Sequence, residues 1–154
     1  MKAGVVCAAL TLCVAAVMCF AADDPQMGTW KLNEGKSKIA AGNPKNSMVV
    51  YTADGDNIKV TVDGSDPDGK PVHSEWTGKF DGNDYAVTGD STSDSRSYKK
   101  INARTMAITA KKGGKVTLRG RIVVSADGKS RTVTTSGTDA KGKKFSNTAF
   151  YDKS

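Results

Sequence analysis

The chain has 154 residues, 38% of them hydrophobic, and carries 23 Lys and Arg against 16 Asp and Glu, a net charge of +7. That length holds one ordinary domain rather than two, and a basic balance points toward anionic partners. All three cysteines (Cys7, Cys13 and Cys19) fall within the first 21 residues, so disulfides, thiolate catalysis and Cys-ligated metals are excluded from everything that follows.

Residues 1–21 open on Met1-Lys2, continue as an apolar run broken only by Gly4 and Thr11, and end Cys19-Phe20-Ala21. A basic start, an apolar centre and small residues at −3 and −1 read as a secretory signal peptide cut after Ala21. The run is too short for a stable membrane span, and no basic stop-transfer cluster follows it. Met18 before Cys19 and Leu12 before Cys13 do not fit a lipid-attachment site, which needs small residues there. The expectation is a soluble exported protein, periplasmic or secreted, whose single domain is residues 22–154. Without the leader, 40 of 133 residues are apolar, Leu is reduced to Leu32 and Leu118, and Ser and Thr together number 27. A helical bundle needs Leu-rich stripes, which this composition lacks.

After the acidic start at Asp23 and Asp24, apolar and polar residues alternate in short segments divided by turn residues. Period-2 alternation predicts strands at 28–33, 48–53, 58–63, 71–81, 85–88, 95–101, 105–111, 115–125, 131–139 and 143–151. Between them stand Asp54-Gly55-Asp56-Asn57, Asp66-Pro67-Asp68-Gly69, Asp81-Gly82-Asn83-Asp84, Gly113-Gly114, Asp127-Gly128 and Lys141-Gly142-Lys143. These are hairpin signals, because Gly, Asn and Asp tolerate the positive φ of tight turns. One helical turn is expected at 37–41, ended by Gly42 and Pro44. About ten strands joined by short turns make an all-β antiparallel up-and-down meander. A long meander removes its exposed edges by closing into a barrel, so a closed or nearly closed barrel is expected.

Alternation also assigns faces. Val72, Ser74, Trp76, Gly78 and Phe80 share one face, with His73, Glu75, Thr77 and Lys79 opposite. Val116, Leu118, Gly120, Ile122 and Val124 oppose Thr117, Arg119 and Arg121, and Ile58, Val60 and Val62 oppose Lys59, Thr61 and Asp63. Gly78 and Gly120 at inward positions suggest the bends of a strongly coiled sheet. The phase rests on register, and a slip of one residue would reverse every assignment.

The segment Gly28-Thr29-Trp30-Lys31-Leu32 resembles the first-strand signature of the lipocalins and fatty-acid-binding proteins, the calycin barrels. There the Trp closes one end of the barrel, a role the resemblance carries to Trp30. Strand count and mature length agree with that family. Residues 34–46 are too short for the helix-turn-helix of fatty-acid-binding proteins. Their Arg-x-Tyr pair on the last strand is replaced by Ala149-Phe150-Tyr151, and the lipocalin Thr-Asp-Tyr motif has only Asn83-Asp84-Tyr85 as a loose counterpart. Taken whole, the mature chain is similar to small exported bacterial lipocalin-like proteins of unassigned activity, through Asp68-Gly69-Lys70-Pro71, Phe80-Asp81-Gly82-Asn83-Asp84-Tyr85 and Tyr151-Asp152-Lys153. The resemblance implies fold and export and transfers no catalytic residue.

Chemistry-bearing residues are few. His73 is the sole histidine; beside Glu75 it could serve as a general base, but its strand face also carries Thr77 and Lys79 and reads as a solvated outer wall. Asp54 and Asp56 match positions one and three of a calcium loop, yet Ile58 fills position five and no Glu stands at twelve. No catalytic residue, cofactor or metal is therefore expected. The inward list, with Ser74, Gly78, Gly120 and Ala149, looks thin in bulk, and a barrel lined by small residues has room for a small apolar or amphipathic molecule. The candidate ligand-binding residues are Trp76, Arg96, Tyr98, Arg131 and Tyr151, with either Arg able to meet an acidic headgroup. The alternative has Arg96 and Arg131 pointing outward and the interior filled.

Charge is unevenly placed. Residues 22–92 hold 7 basic against 12 acidic side chains, and residues 93–154 hold 15 against 4. In a meander the second half forms one continuous wall, which suits an anionic envelope component such as lipid or polysaccharide. Nucleic acid is not expected as a partner, since export removes most of it and aromatic stacking residues are scarce on the basic strands. A monomer that binds a small molecule inside is the leading expectation. An envelope interaction protein working through its basic C-terminal half is the alternative.

Overall fold

The computed structural model describes residues 24–154, so the predicted signal segment lies outside the described residues. Alternation and turn chemistry lay down ten strands in chain order: β1 (Gly28–Leu32), β2 (Lys45–Asp54), β3 (Asn57–Ser65), β4 (Pro71–Gly78) and β5 (Tyr85–Thr88), then β6 (Ser95–Asn102), β7 (Thr105–Lys112), β8 (Lys115–Val124), β9 (Ser130–Thr138) and β10 (Lys144–Lys153). Every strand pairs antiparallel with the next, and β1 pairs with β10, which closes an up-and-down barrel. Closure leaves no unpaired edge. All ten segments expected from alternation form strands, with no end displaced by more than three residues and β5 matching at both ends.

Acidic side chains set several turns. Asp66 Oδ1 accepts from the backbone N–H groups of Asp68 and Lys70, and Asp139 Oδ1 accepts from those of Lys141 and Lys143. The positive φ of these two turns falls on Gly69 and Gly142, which lack the Cβ that penalises it. Local turn chemistry therefore occupies these acids.

The helical turn expected at 37–41 does not form. A 3-10 turn lies earlier, at Glu34–Lys36, where the Asn33 side chain accepts from the Lys36 N–H. Lys38 then pairs with Thr148, and the Ala40 N–H donates to Asn147 Oδ1. Bonding to β10 removes those backbone groups from any helix, a tertiary override of a weak local preference.

The connections divide the barrel into two ends. One end, the base, carries residues 24–27 ahead of β1, the 55–56, 79–84, 103–104 and 125–129 connections and the C-terminus. The other, the mouth, carries the connections at 33–44, 66–70, 89–94, 113–114 and 139–143. Buried side chains gather toward the base: Trp30, Tyr51, Trp76, Tyr98, Met106, Ile122, Val124 and Tyr151 belong to one core. Of the inward residues nearer the mouth, Ile108, Leu118, Thr135 and Phe145 are only half-buried, whereas Val62, Ser74 and Ala110 are buried.

Gly78 and Gly120 owe their identity to close approach. A Cβ on Gly78 would stand 2.5 Å from the Tyr85 ring and 2.7 Å from the Trp76 ring, and one on Gly120 would stand 2.5 Å from the Thr134 carbonyl oxygen. Glycine at 78 therefore seats two aromatic rings. The ladder is thinnest at β5, which matches only two residues on β4 and two on β6. The Trp76 indole N–H donates to the Arg96 carbonyl at 2.8 Å and so ties β4 to β6 inside this thin stretch.

Candidate functional site: the barrel interior

Strand parity turns all five expected ligand-binding residues inward. Trp76 is paired with Val60 on β3 and Val87 on β5; Tyr98 with Ile108 on β7; and Arg131 with Val124 on β8 and Tyr151 on β10. Arg96 lies two residues from Tyr98 on the same face of β6. Neither Arg96 nor Arg131 points outward.

The interior is less thin than the inward list suggested. Trp76, Tyr98, Tyr51, Phe80 and Tyr85 form a continuous aromatic cluster with ring centroids 4.8 to 6.5 Å apart, mostly edge-to-face. Such pairs each add about 0.5–1.5 kcal/mol beyond their area burial. Of the small inward residues, Gly78 lies within this packed base, while Ser74 and Gly120 lie nearer the mouth.

Trp30 lies at the base and is fully buried. Its indole N–H donates to the Gln26 carbonyl at 2.9 Å, and the Gln26 side chain in turn donates to the Arg104 carbonyl across the base. The Lys153 ammonium stands 5.0 Å from the Trp30 ring centroid. These contacts stitch the segment before β1 and the C-terminal strand to the bottom of the barrel.

The two interior arginines have different surroundings. Arg96 reaches Asp90 in the β5–β6 connection at 2.8 Å, with side-chain exposures of 11% and 16%. Its Nη1 also faces the Tyr98 hydroxyl at 3.5 Å. Burial alone would raise the Asp90 carboxyl, but donation from Ser93 and Thr92 together with the Arg96 charge outweighs it and holds the group below the usual carboxylate range. The Asp90–Arg96 pair is therefore ionised and mutually neutralised.

Arg131 has no such carboxylate. It is 2% exposed, and its guanidinium carbon stands 4.7 Å from the Trp30 ring centroid and 5.0 Å from those of Tyr51 and Tyr151. Three aromatic faces give it cation–π stabilisation, yet its Nε and Nη1 make no hydrogen bond. Both phenols stay neutral at ordinary pH. Burial, and secondarily Tyr98, raises Tyr51 above its ordinary value, while burial pushes Tyr151 up to about 12. The Tyr151 hydroxyl is committed to the Asn46 carbonyl at 3.0 Å.

Sequence reasoning did not single out Tyr51, Phe80 or Asp90 for the site. Tyr51 shares strand parity with Val49, so the alternation contained it. Asp90 sits in a Gly-Asp-Ser-Thr-Ser connection with no periodicity, and nothing local pairs it with Arg96. His73 lies outside on β4, exposed, with Nδ1 2.6 Å from Asp63 and Nε2 3.4 Å from Glu75. The two carboxylate partners raise its pKa.

Two concavities lie on the mouth rim, one of about 440 Å³ between residues 39–45 and 65–69 and one of about 90 Å³ bounded by Glu34, Ser37, Ile39 and Lys45. On the outside, β6 to β10 form one unbroken stretch of wall. Arg119 and Arg121 are exposed there, and Lys112, Lys115, Lys141 and Lys143 lie at its mouth end with no ion pair among the described residues.

Fold and site together define a closed ten-stranded antiparallel barrel with a packed aromatic base and a half-open mouth. No family model matches the chain, and comparison with the curated proteins finds no match either.

Proposed function

We propose that this chain is an exported, monomeric, lipocalin-like barrel that binds a small apolar or amphipathic molecule in its interior, and that it binds rather than catalyses. The observation that supports this most is the axial gradient of burial. Trp30, Val60, Trp76 and Met106 at the base are closed from solvent, while Ile108, Leu118, Thr135 and Phe145 on the β7–β10 side of the mouth half are half-buried, a lining that suits a one-ended well. The interior offers rings and aliphatic side chains with a few polar groups, the usual make-up of a ligand site.

Titration of the purified protein with a hydrophobic fluorescent dye is expected to give saturable uptake at a 1:1 ratio. Native mass spectrometry of protein from its own host is expected to show a bound small molecule. Absence of dye uptake by folded protein would remove the proposal.

A second reading, attachment to an anionic envelope component, is favoured by the unpaired lysines at the mouth end of the β6–β10 wall. It predicts salt-sensitive cosedimentation with anionic vesicles or lipopolysaccharide that weakens in an Arg119→Ser, Arg121→Ser double variant. Equal binding before and after that change would count against it.

A further inference from the structure

The outer face of β6–β10 carries a pattern of hydroxyls around two arginines. Register places Ser97, Thr109, Arg119, Ser136 and Ser146 in one row across the five strands. The next row toward the base runs Lys99, Ala107, Arg121, Thr134 and Thr148. Both rows point outward, since the residues between them on each strand, among them Tyr98, Ile108 and Thr135, face the interior. Neighbours within a row stand about 4.8 Å apart, and the two rows about 6.7 Å apart, as in any sheet.

Arg119 and Arg121 occupy the centre of this array on β8. Both are exposed and free of ion pairs among the described residues, and neither row holds an acidic side chain. The hydroxyls beside them are also uncommitted. Thr117, nearer the mouth, lies within reach of the Thr92 and Ala110 carbonyls, whereas the exposed Thr134, Ser136 and Ser146 make no side-chain hydrogen bond among the described residues.

We infer that this wall docks an acidic polysaccharide, a chain of uronate sugars lying across the strands, with its carboxylates on Arg119 and Arg121. The sugar hydroxyls meet the Ser and Thr side chains on either side. This rests on the anionic-partner reading above and names the class of partner.

Charge fixes the sign of the partner, and the hydroxyls fix its class. A guanidinium meets a carboxylate through two parallel N–H···O bonds. A Ser or Thr hydroxyl both donates and accepts, which matches a sugar hydroxyl that does the same. A bilayer is the competing occupant of a basic face, but peripheral attachment uses apolar or aromatic side chains that enter the acyl boundary. The two rows hold nothing apolar larger than Ala107, and the exposed Val116 and Val123 stand at opposite ends of β8 rather than together. Nucleic acid would stack its bases on aromatic rings, which both rows lack.

The test is calorimetric titration of the purified protein with polygalacturonate, its fully methyl-esterified form, polyacrylate and phosphatidylglycerol vesicles, all at one low ionic strength. Polygalacturonate is expected to bind, more weakly as salt rises, and the neutral ester is expected not to bind. The Arg119→Ser, Arg121→Ser double variant should lose at least about tenfold in affinity, the worth of a charge-assisted bond. A Thr134→Val, Ser136→Ala double variant keeps both arginines. It should bind polygalacturonate roughly three- to tenfold more weakly and polyacrylate, which has carboxylates but no hydroxyls, as the wild type does. No loss in that variant, or an equal loss on polyacrylate, would overturn the polysaccharide assignment and leave only charge attraction. So would binding of the neutral ester, or tighter binding to vesicles than to polygalacturonate. Failure of both polygalacturonate and vesicles to bind would instead remove the anionic-partner reading itself.

Discussion

The base and the mouth of this barrel are built from the same strands, yet the two ends use their inward positions differently. At the base these positions are large and aromatic, their N–H groups are tied to backbone carbonyls, and Trp30 and Val60 are closed to solvent. Toward the mouth the same strands turn in Ile108, Gly120, Thr135 and Asn147, which remain half-buried. One set of ladders therefore supports a packed core at one end and a receptive lining at the other. Stability and ligand capacity are drawn from different halves, so substitutions in the two halves should separate them.

The largest effect is expected from breaking the base. Trp76→Ala removes the ring that touches Phe80, Tyr85 and Tyr98 and deletes the bond to the Arg96 carbonyl. It should cost about 3–5 kcal/mol in chemical denaturation, as large-to-small core changes do. Asp90→Asn leaves Arg96 largely buried without its counter-charge and should cost about 3 kcal/mol. Arg131→Met is the contrasting case. Removing a buried charge that has no carboxylate partner should leave apo stability unchanged or raised, and a loss as large as that of Asp90→Asn would show that Arg131 is structural. Thr135→Trp in the mouth half should move stability by about 1 kcal/mol or less while sharply reducing dye uptake, the reverse of the Trp76 pattern.

The smallest expected effect is on the outer wall. The His73 pKa is raised in the folded state by bonding to Asp63 and then Glu75, so its contribution is fully present below the unfolded pKa of about 6.5. That contribution is lost as pH rises through the higher folded value. Wild type and His73→Gln should therefore differ slightly in denaturation midpoint at pH 5.5 and converge at pH 8.5. Because the site is exposed, the difference should shrink in salt.

Most of the fold was legible in the sequence because a period of two is a strong signal and Asp-Gly turns punctuate it. All ten strands follow from those two rules, and parity put Arg96 on the face of Tyr98 and Arg131 on that of Val133, while inward or outward was decided only by the register of the closed barrel. What parity could not supply was axial position. It treated Ser74, Gly78, Gly120 and Ala149 as equivalent small linings, whereas Gly78 seats the Trp76 and Tyr85 rings in the packed base. It also gave the two arginines equal standing. The distinction between them comes from Asp90, contributed by an aperiodic connection, and from Tyr51, brought to Arg131 from β2 by barrel closure. Long-range pairing of this kind leaves no local trace. The turn at 33–37 was displaced for a related reason, since β10 claims the backbone of Lys38 and Ala40.

The chain has two tryptophans, and both lie in the base half, which makes intrinsic fluorescence a ruler for the ligand. Aliphatic carboxylates bearing a spin label either close to the carboxyl group or at the chain end should quench unequally. A ligand lodged in the mouth half above the packed base predicts saturable quenching of Trp30 and Trp76 that is stronger for whichever label enters the well first and weaker for the other. Absence of saturable quenching by either label would contradict a ligand held inside the barrel.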